Sequence, residues 1–232
     1  MNKESKVVIL DAGHGSQTPG KRSPEGLLAE EGQVALHEWE YNRDVVRRIA
    51  NALAKAGIQF NVLVSGKNDV PLTVRTSMVN NRVQASPKTE HLLISVHANA
   101  GGGTGYEVFT SPGETMSDKI AELFYEEAEK SLKEVKIEVV EGKNVKNKTF
   151  KFKMRHDKSD GDHDKEERFA MLIHTSCSAI LTENLFMDTK KDLEFMLQDA
   201  GRQVVADYHV SAIKRWLNDD HLKEEEDEDS ED

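Results

Sequence analysis

The chain has a single cysteine, Cys177, in 232 residues, so no intramolecular disulfide can staple the fold. A chain of this length suits one domain and can bury a substantial core without such staples. A lone thiol is a candidate nucleophile. However, Ser176-Cys177-Ser178-Ala179-Ile180-Leu181 reads as the entry to a buried strand, where cysteine serves as a small hydrophobe. Long apolar runs are also missing. Met1 to Lys6 are polar and charged, and nothing that follows is long enough for a signal peptide or a membrane span. The expectation is a chain synthesised in the cytoplasm without a signal peptide and with no membrane partner. Basic stripes with interleaved aromatics are absent, which excludes nucleic acid as a partner. Neither H-E-x-x-H nor P-C-x-x-C occurs, which disfavours two classes of zinc enzyme.

Acid is what the chain has in excess. Of a formal net charge of −11, the stretch from Asp219 to Asp232 accounts for nine. That composition reads as a disordered acidic tail over 219–232, leaving 1–218 as a nearly neutral domain.

Within the domain, short apolar runs alternate with helical patterns. Val7-Val8-Ile9-Leu10 reads as a buried strand stopping at Asp11-Ala12-Gly13-His14-Gly15, followed by a long Gly- and Pro-bearing loop, 16–32. Val45, Val46, Ile49, Ala50, Leu53 and Ala56 predict a helix over 41–56 with Gly57 as its stop. Further strands are expected at 60–64, 91–96, 106–110 and 179–182, and further helices at 72–84, 117–134 and 193–217. Ile137 to Val140 and Thr149 to Phe152 alternate like exposed strands. Arg155 to Glu167 is almost wholly polar and forms the heart of an insertion at about 142–168. The alternation argues for one α/β domain, with a mostly parallel, twisted sheet flanked by helices.

Three of the apolar runs each deliver a group able to bind a metal or move a proton. Val7 to Leu10 delivers His14, His91 to Val96 delivers His97, and Ala179 to Thr182 delivers Glu183. In open α/β sheets, sites gather at the carboxyl ends of parallel strands, so these three should share one rim. Small neighbours, Gly13 and Gly15 around His14 and Ala98-Asn99-Ala100 after His97, leave room for an ion and a substrate backbone. Two neutral imidazoles and a carboxylate are a common catalytic zinc set, with a fourth position left to water. The carboxylate would come from Glu38 or Glu40 at the start of the first helix, where acids are also favoured by the helix dipole alone. Glu183 is then either a strand-end acid making caps or ion pairs, or a base beside the activated water.

Asp11-Ala12-Gly13-His14-Gly15, Ser95-Val96-His97-Ala98-Asn99-Ala100 and Leu181-Thr182-Glu183-Asn184-Leu185-Phe186 resemble, in order and rough spacing, the motifs of the zinc-dependent N-acetylmuramoyl-L-alanine amidases of the amidase_3 type. The resemblance covers roughly Val7 to Leu217. It implies that His14 and His97 bind Zn2+, that Glu183 is the catalytic glutamate, and that peptidoglycan is the substrate, reached after release from the cytoplasm, as by a phage endolysin. The family's glutamate ligand opens an E-x-x-x-N segment. Glu38 meets that pattern through Asn42, and Glu40 does not. Leu72, Arg75 and Asn80 match a family helix with a structural role. Leu185 stands where the family usually has Gly, and Asp188-Thr189 where it has Ser-Asn, so the rim of the pocket should differ more than its ligands.

A non-catalytic wall-binding module of the same fold would lack a ligand or the glutamate, and none of the required residue types is missing here. Another zinc amidohydrolase or peptidase is the remaining alternative. The insertion carries His156-Asp157-Lys158-Ser159-Asp160-Gly161-Asp162-His163-Asp164, a candidate for a second metal or for a segment that covers the groove.

Overall fold

The computed structural model describes residues 5–157 and 161–219. Val8, Ile9 and Leu10 are each fully buried, as expected of a strand covered on both faces. They lie in β1 (Ser5–Ala12), which α1 (Glu38–Lys55) follows after the long loop. Then come β2 (Phe60–Val62), α2 (Leu72–Ala85), β3 (Thr89–Asn99), β4 (Tyr106–Thr110), α3 (Met116–Leu132), the hairpin β5 (Val135–Glu141) and β6 (Asn144–Phe150), β7 (Lys165–Glu166), α4 (Ala170–Ile173), β8 (Ser178–Phe186), α5 (Lys190–Leu197) and α6 (Asp199–Asn218). Six strands form one sheet in the order β2-β1-β3-β8-β4-β7. All neighbours are parallel except β4 against β8.

Alternation along the central strands feeds two apolar layers. Val8, Leu10, Leu92, Ile94 and Ile180 face a larger core that includes Val45, Ile49 and Leu53 of α1, Ile120 and Phe124 of α3, and Val205 and Ile213 of α6. Ile9, Leu93, Ala179, Leu181 and Phe109 face a smaller core shared with Val79 of α2 and Met171 and Leu172 of α4. Burying each aliphatic side chain contributes about 2 kcal/mol, so the domain rests mainly on the first layer.

Four expectations need correction. The two segments expected to alternate like exposed strands bury their apolar residues: Ile137 and Val139 of β5, Phe150 at the end of β6 and Phe152 just after it are buried, while Val140 and Val145 are open. Period-two alternation puts the apolar set on one face, and that face packs on α5, with Phe195 centroids 5.2 Å from Phe150 and 5.0 Å from Phe152. The last helix is two helices. Gln198 is extended, and α6 tucks against the end of α5 so closely that a Cβ on Gly201 would lie 2.1 Å from the Phe195 carbonyl oxygen. The apolar spacing runs through the break because both helices bury the same side. The polar stretch also contains β7, which pairs with the end of β4. Finally, β3 and β8 run past residues 96 and 182, so His97 and Glu183 sit within strands. The acidic stretch 220–232 lies outside the described residues.

His209 of α6 is fully buried, with Nδ1 2.8 Å from the Val205 carbonyl and Nε2 3.0 Å from the Thr182 hydroxyl. Burial pushes its pKa from 6.5 down to about 4. Below pH 6.5 the unfolded chain takes up a proton that the folded chain refuses. Stability is therefore lost as pH falls from 6.5 to 4, by roughly 3 kcal/mol in total. Unfolding free energies of the wild type and His209→Gln, measured by urea titration between pH 7 and 4.5, should diverge in slope over that window, with the variant flatter.

Candidate metal and catalytic site

The face of the sheet that carries Ile9, Leu93, Leu181 and Phe109 turns polar at one end. Two residues beyond Ile9 stands Asp11. Beyond Leu93 come Ser95 and His97, beyond Leu181 comes Glu183, and two before Phe109 in antiparallel β4 comes Glu107. Register aligns Asp11 with Ser95, His97 with Glu183, and Glu183 with Glu107. The smaller helical layer, α2 and α4, covers the apolar part of this face, and the polar end is where the site forms.

His14 is reached through a turn that only small residues permit. A Cβ on Gly13 would fall 2.2 Å from the His97 ring, and one on Gly15 would fall 2.2 Å from the Asp69 backbone nitrogen. Both glycines are therefore demanded by close approach. His14 itself has φ 60, a left-handed conformation that a non-glycine residue adopts at a cost. Two guanidinium groups hold it there. Arg75 reaches Asp11 Oδ1 at 2.9 Å, the Ala12 carbonyl at 2.8 Å and the His14 carbonyl at 3.1 Å. Arg43 reaches the Gly13 and His14 carbonyls at 3.1 and 2.6 Å. Burial, with Arg75 as like-charged neighbour, lowers Arg43 to about 10.

Glu38 opens α1, and the base of the long loop fixes it. Its backbone N–H donates to the Lys21 carbonyl at 3.0 Å, and Ser23 Oγ accepts from the N–H groups of Ala35 and Leu36. Glu38 is fully buried. Its Oε1 lies 3.3 Å from His14 Nε2 and 3.1 Å from His97 Nδ1, and it accepts from the Ala98 N–H at 3.2 Å. Asn42, one turn on, bridges Glu38 Oε1 and the Gly13 carbonyl. Glu40 is exposed and takes no part. Burial alone would raise Glu38, but the two imidazoles hold it far below the usual carboxylate range. Burial lowers His14. His97 ends raised because Glu38 and Glu183 outweigh its burial.

His14, Glu38 and His97 each offer one donor atom, all within 4.8 Å of one another, a group able to hold a metal ion. Three buried polar atoms at this place lack hydrogen-bond partners: His14 Nε2, Glu38 Oε2 and Glu183 Oε2. Such orphans are expensive unless a ligand answers them. Two imidazole nitrogens and a carboxylate oxygen suit a borderline transition-metal ion. Beside them, burial pushes the Glu183 carboxyl up to about 7.

The family model of the N-acetylmuramoyl-L-alanine amidases, Amidase_3, matches residues 8–215. The chain belongs to the Amidase_3 family. It is 28% identical over 214 residues to the N-acetylmuramoyl-L-alanine amidase CwlM of Bacillus licheniformis, covering 91% of this chain and 68% of that one. It is 25% identical over 215 residues to the endolysin of Bacillus phage SPP1, covering 92% and 67%. The crystal structure of the N-acetylmuramoyl-L-alanine amidase from Clostridium difficile 630 shares the fold with a TM-score of 0.69 at 21% identity, covering 94% of this chain and all of that one.

In this Amidase_3 chain further residues, some inside the motifs and some, such as Glu107 and Arg43, outside them, support the site. Asn184 donates to the His97 carbonyl at 2.9 Å and accepts from the Tyr208 hydroxyl. The register then slips between His97 and Asn99, a bulge on β8 in which Leu185 has φ 72. This is the position where the family usually has Gly, and the left-handed backbone explains that preference. Glu107 accepts from Arg155, from Lys165 at 2.7 Å and from Asn99 at 2.6 Å. Burial opposes its ionisation, but Arg155 and Lys165 hold its carboxyl below the usual range. An acid between buried Tyr106 and Val108 was the signal for it. Arg43 had no comparable signal, since it lies off the apolar stripe. Asp188 and Thr189 tether the Gly101–Gly103 turn, through Asp188 Oδ2 to two backbone N–H groups and Thr189 Oγ1 to the Gly103 carbonyl.

Arg75→Met would leave Asp11 as a buried carboxylate without its counter-charge. A loss of about 3–5 kcal/mol is expected, read as a lower urea midpoint. Arg75→Lys should recover only part of it, because one ammonium cannot serve three acceptors in a fork.

Proposed function

We propose that this chain is a zinc-dependent hydrolase of the amide bond between N-acetylmuramic acid and L-alanine in peptidoglycan. The observation that carries the reading is the convergence of His14, Glu38 and His97 within 4.8 Å beside a Glu183 whose buried Oε2 has no partner. In it, His14, Glu38 and His97 would hold Zn2+. A zinc ion held there supplies a Lewis acid and makes water nucleophilic near neutral pH.

Glu183 carries the proton. With its carboxyl pushed up to about 7 by burial, it exchanges protons readily at neutral pH. It takes one from the attacking water and returns it to the alanine nitrogen as the C–N bond breaks. The products are a lactyl carboxylate on the sugar and a stem peptide with a free L-alanine amino terminus. Asn184 and the bulge after it hold Glu183 in register with His97. Asn42 keeps Glu38 between the two imidazoles. In this reading residues 1–218 are the catalytic domain with an insertion at about 142–168, and 219–232 are an appended acidic tail. The similarity to a phage endolysin supports access to the wall after release from the cell. No helix among the described residues is long and apolar enough to cross a membrane.

Two measurements check this. Purified protein on peptidoglycan should release stem peptides with new L-alanine amino termini, and a chelator should stop the release until Zn2+ is restored. New reducing sugars, or cuts within the peptide, would sink the proposal. Glu183→Gln should lower kcat by about 10²–10⁴-fold while bound zinc, read by elemental analysis, stays at the wild-type level.

A further inference from the structure

A second convergence of carboxylates lies away from His14 and His97. It joins the insertion to the body of the domain. Asp118 sits in the first turn of α3, and Asp162 and Asp164 lie just before β7. One oxygen from each lies within 4.8 Å of the others. Asp164 is 2% exposed and Asp118 5%, and Asp162 is half-buried. The hydroxyl of Thr110, at the end of β4, lies 3.0 Å from Asp118 Oδ1 and 2.5 Å from Asp164 Oδ2. It has one proton and can satisfy only one of them. Asp118 Oδ2 is committed to the Thr115 N–H and hydroxyl at 2.6 and 2.8 Å, in the capping box of α3. Asp164, whose Oδ2 shares the Thr110 hydroxyl with Asp118, keeps its Oδ1 buried and without a hydrogen bond. Burial and the charges of Asp118 and Asp162 together push the Asp164 carboxyl up to about 7.

The buried Asp164 carboxyl, with one oxygen that makes no hydrogen bond and Asp118 close by, calls for a shared proton or a cation. The donors decide the class. All of them are oxygens. The intervening His163 turns away, with Nδ1 2.8 Å from Glu122 and its ring stacked on Tyr125 at 4.3 Å. Nitrogen ligation, and with it a second zinc site, is not what this cluster offers. We propose that Asp118, Asp162 and Asp164, with the Thr110 hydroxyl, form a binding site for a hard divalent cation, calcium. Calcium tolerates irregular all-oxygen cages completed by backbone carbonyls and water, whereas magnesium demands near-octahedral geometry.

The position gives such an ion something to do. Asp164 immediately precedes Lys165 of β7, whose Nζ reaches Glu107, the register neighbour of Glu183. β7 is two residues long and pairs with the last two residues of β4, Phe109 and Thr110. A cation shared by β4, α3 and the insertion would pin this short edge, and with it Lys165 beside Glu107. The inference does not depend on the amidase reading, because its test needs no turnover.

The experiment uses the full chain with zinc supplied, dialysed free of calcium. Melting temperature is followed as calcium is added to about millimolar concentration, with calorimetry for stoichiometry. Wild type should gain about 2–4 °C with one ion bound. Asp164→Asn, which removes a repelled charge, should melt no lower than calcium-free wild type and should not respond to calcium. Asp162→Asn, at the half-buried member, should bind calcium at least about tenfold more weakly. It also serves if Asp164→Asn does not fold. A control with Glu226→Gln and Asp227→Asn in the acidic stretch should keep the full response. The proposal is overturned if wild type shows no shift, or if the shift survives in Asp164→Asn and Asp162→Asn. It is equally overturned if the shift disappears with the control, which would assign calcium to the acidic stretch. A melting temperature that follows pH between about 6 and 8 and ignores calcium would assign the trio to a shared proton instead.

Discussion

Glu38 places a carboxylate where no solvent reaches it, and a charge in that position is costly unless other groups answer it. Two imidazoles and a backbone N–H do so from one side. Much of the surrounding architecture serves to bring them there. The long loop closes on itself at Ser23 so that α1 begins at Glu38. Gly13 leaves space for the His97 ring. Arg43 and Arg75 bind the carbonyls of the turn that carries His14 in a left-handed conformation. One oxygen of Glu38, 3.9 Å from the Lys21 ammonium, and one nitrogen of His14 make no hydrogen bond, so the cluster keeps donor atoms that could hold a metal ion.

The sheet supplies the other half of the arrangement. Parallel strands β1, β3 and β8 present their polar ends together. Antiparallel β4 then adds Glu107 beside Glu183 from the opposite chain direction. Adjacent acids in a partly dry site would repel. Here the two are differentiated: Glu107 is held ionised by Arg155 and Lys165, while burial leaves Glu183 able to hold a proton near neutral pH. Their surroundings thus push the two neighbouring carboxyls apart in acidity. The bulge at Leu185 ends the register of β3 and β8 just past His97, and Asn184 ties the two strands at that point.

The insertion is joined to the same region. Its residues Arg155 and Lys165 converge on Glu107 from the far side, and its aspartates meet Thr110 and Asp118 at the end of β4. A segment that reads as solvated polar chain therefore contributes charged anchors at both ends of one short strand. Its composition conceals this, because each charged residue looks alike until the partner across space is known.

Much of the fold and of the site is legible in the amino-acid sequence alone. The fold class, the positions of most strands and helices, and the gathering of His14, His97 and Glu183 at one rim follow from apolar period and from the rule that parallel strands end together. Local chemistry determines such things: β-branched runs make strands, a helical stripe makes α1, and small residues mark tight approaches. Tertiary structure decided the rest. It set how far β3 and β8 extend, because extension depends on a neighbour to pair with. It broke the final helix at Gln198, because α6 packs against α5 through a space that only Gly201 leaves. It buried one face of the hairpin on Phe195, and it gave Arg43, Glu107 and Asp164 their partners. Those outcomes depend on residues tens of positions apart meeting, which no local pattern encodes.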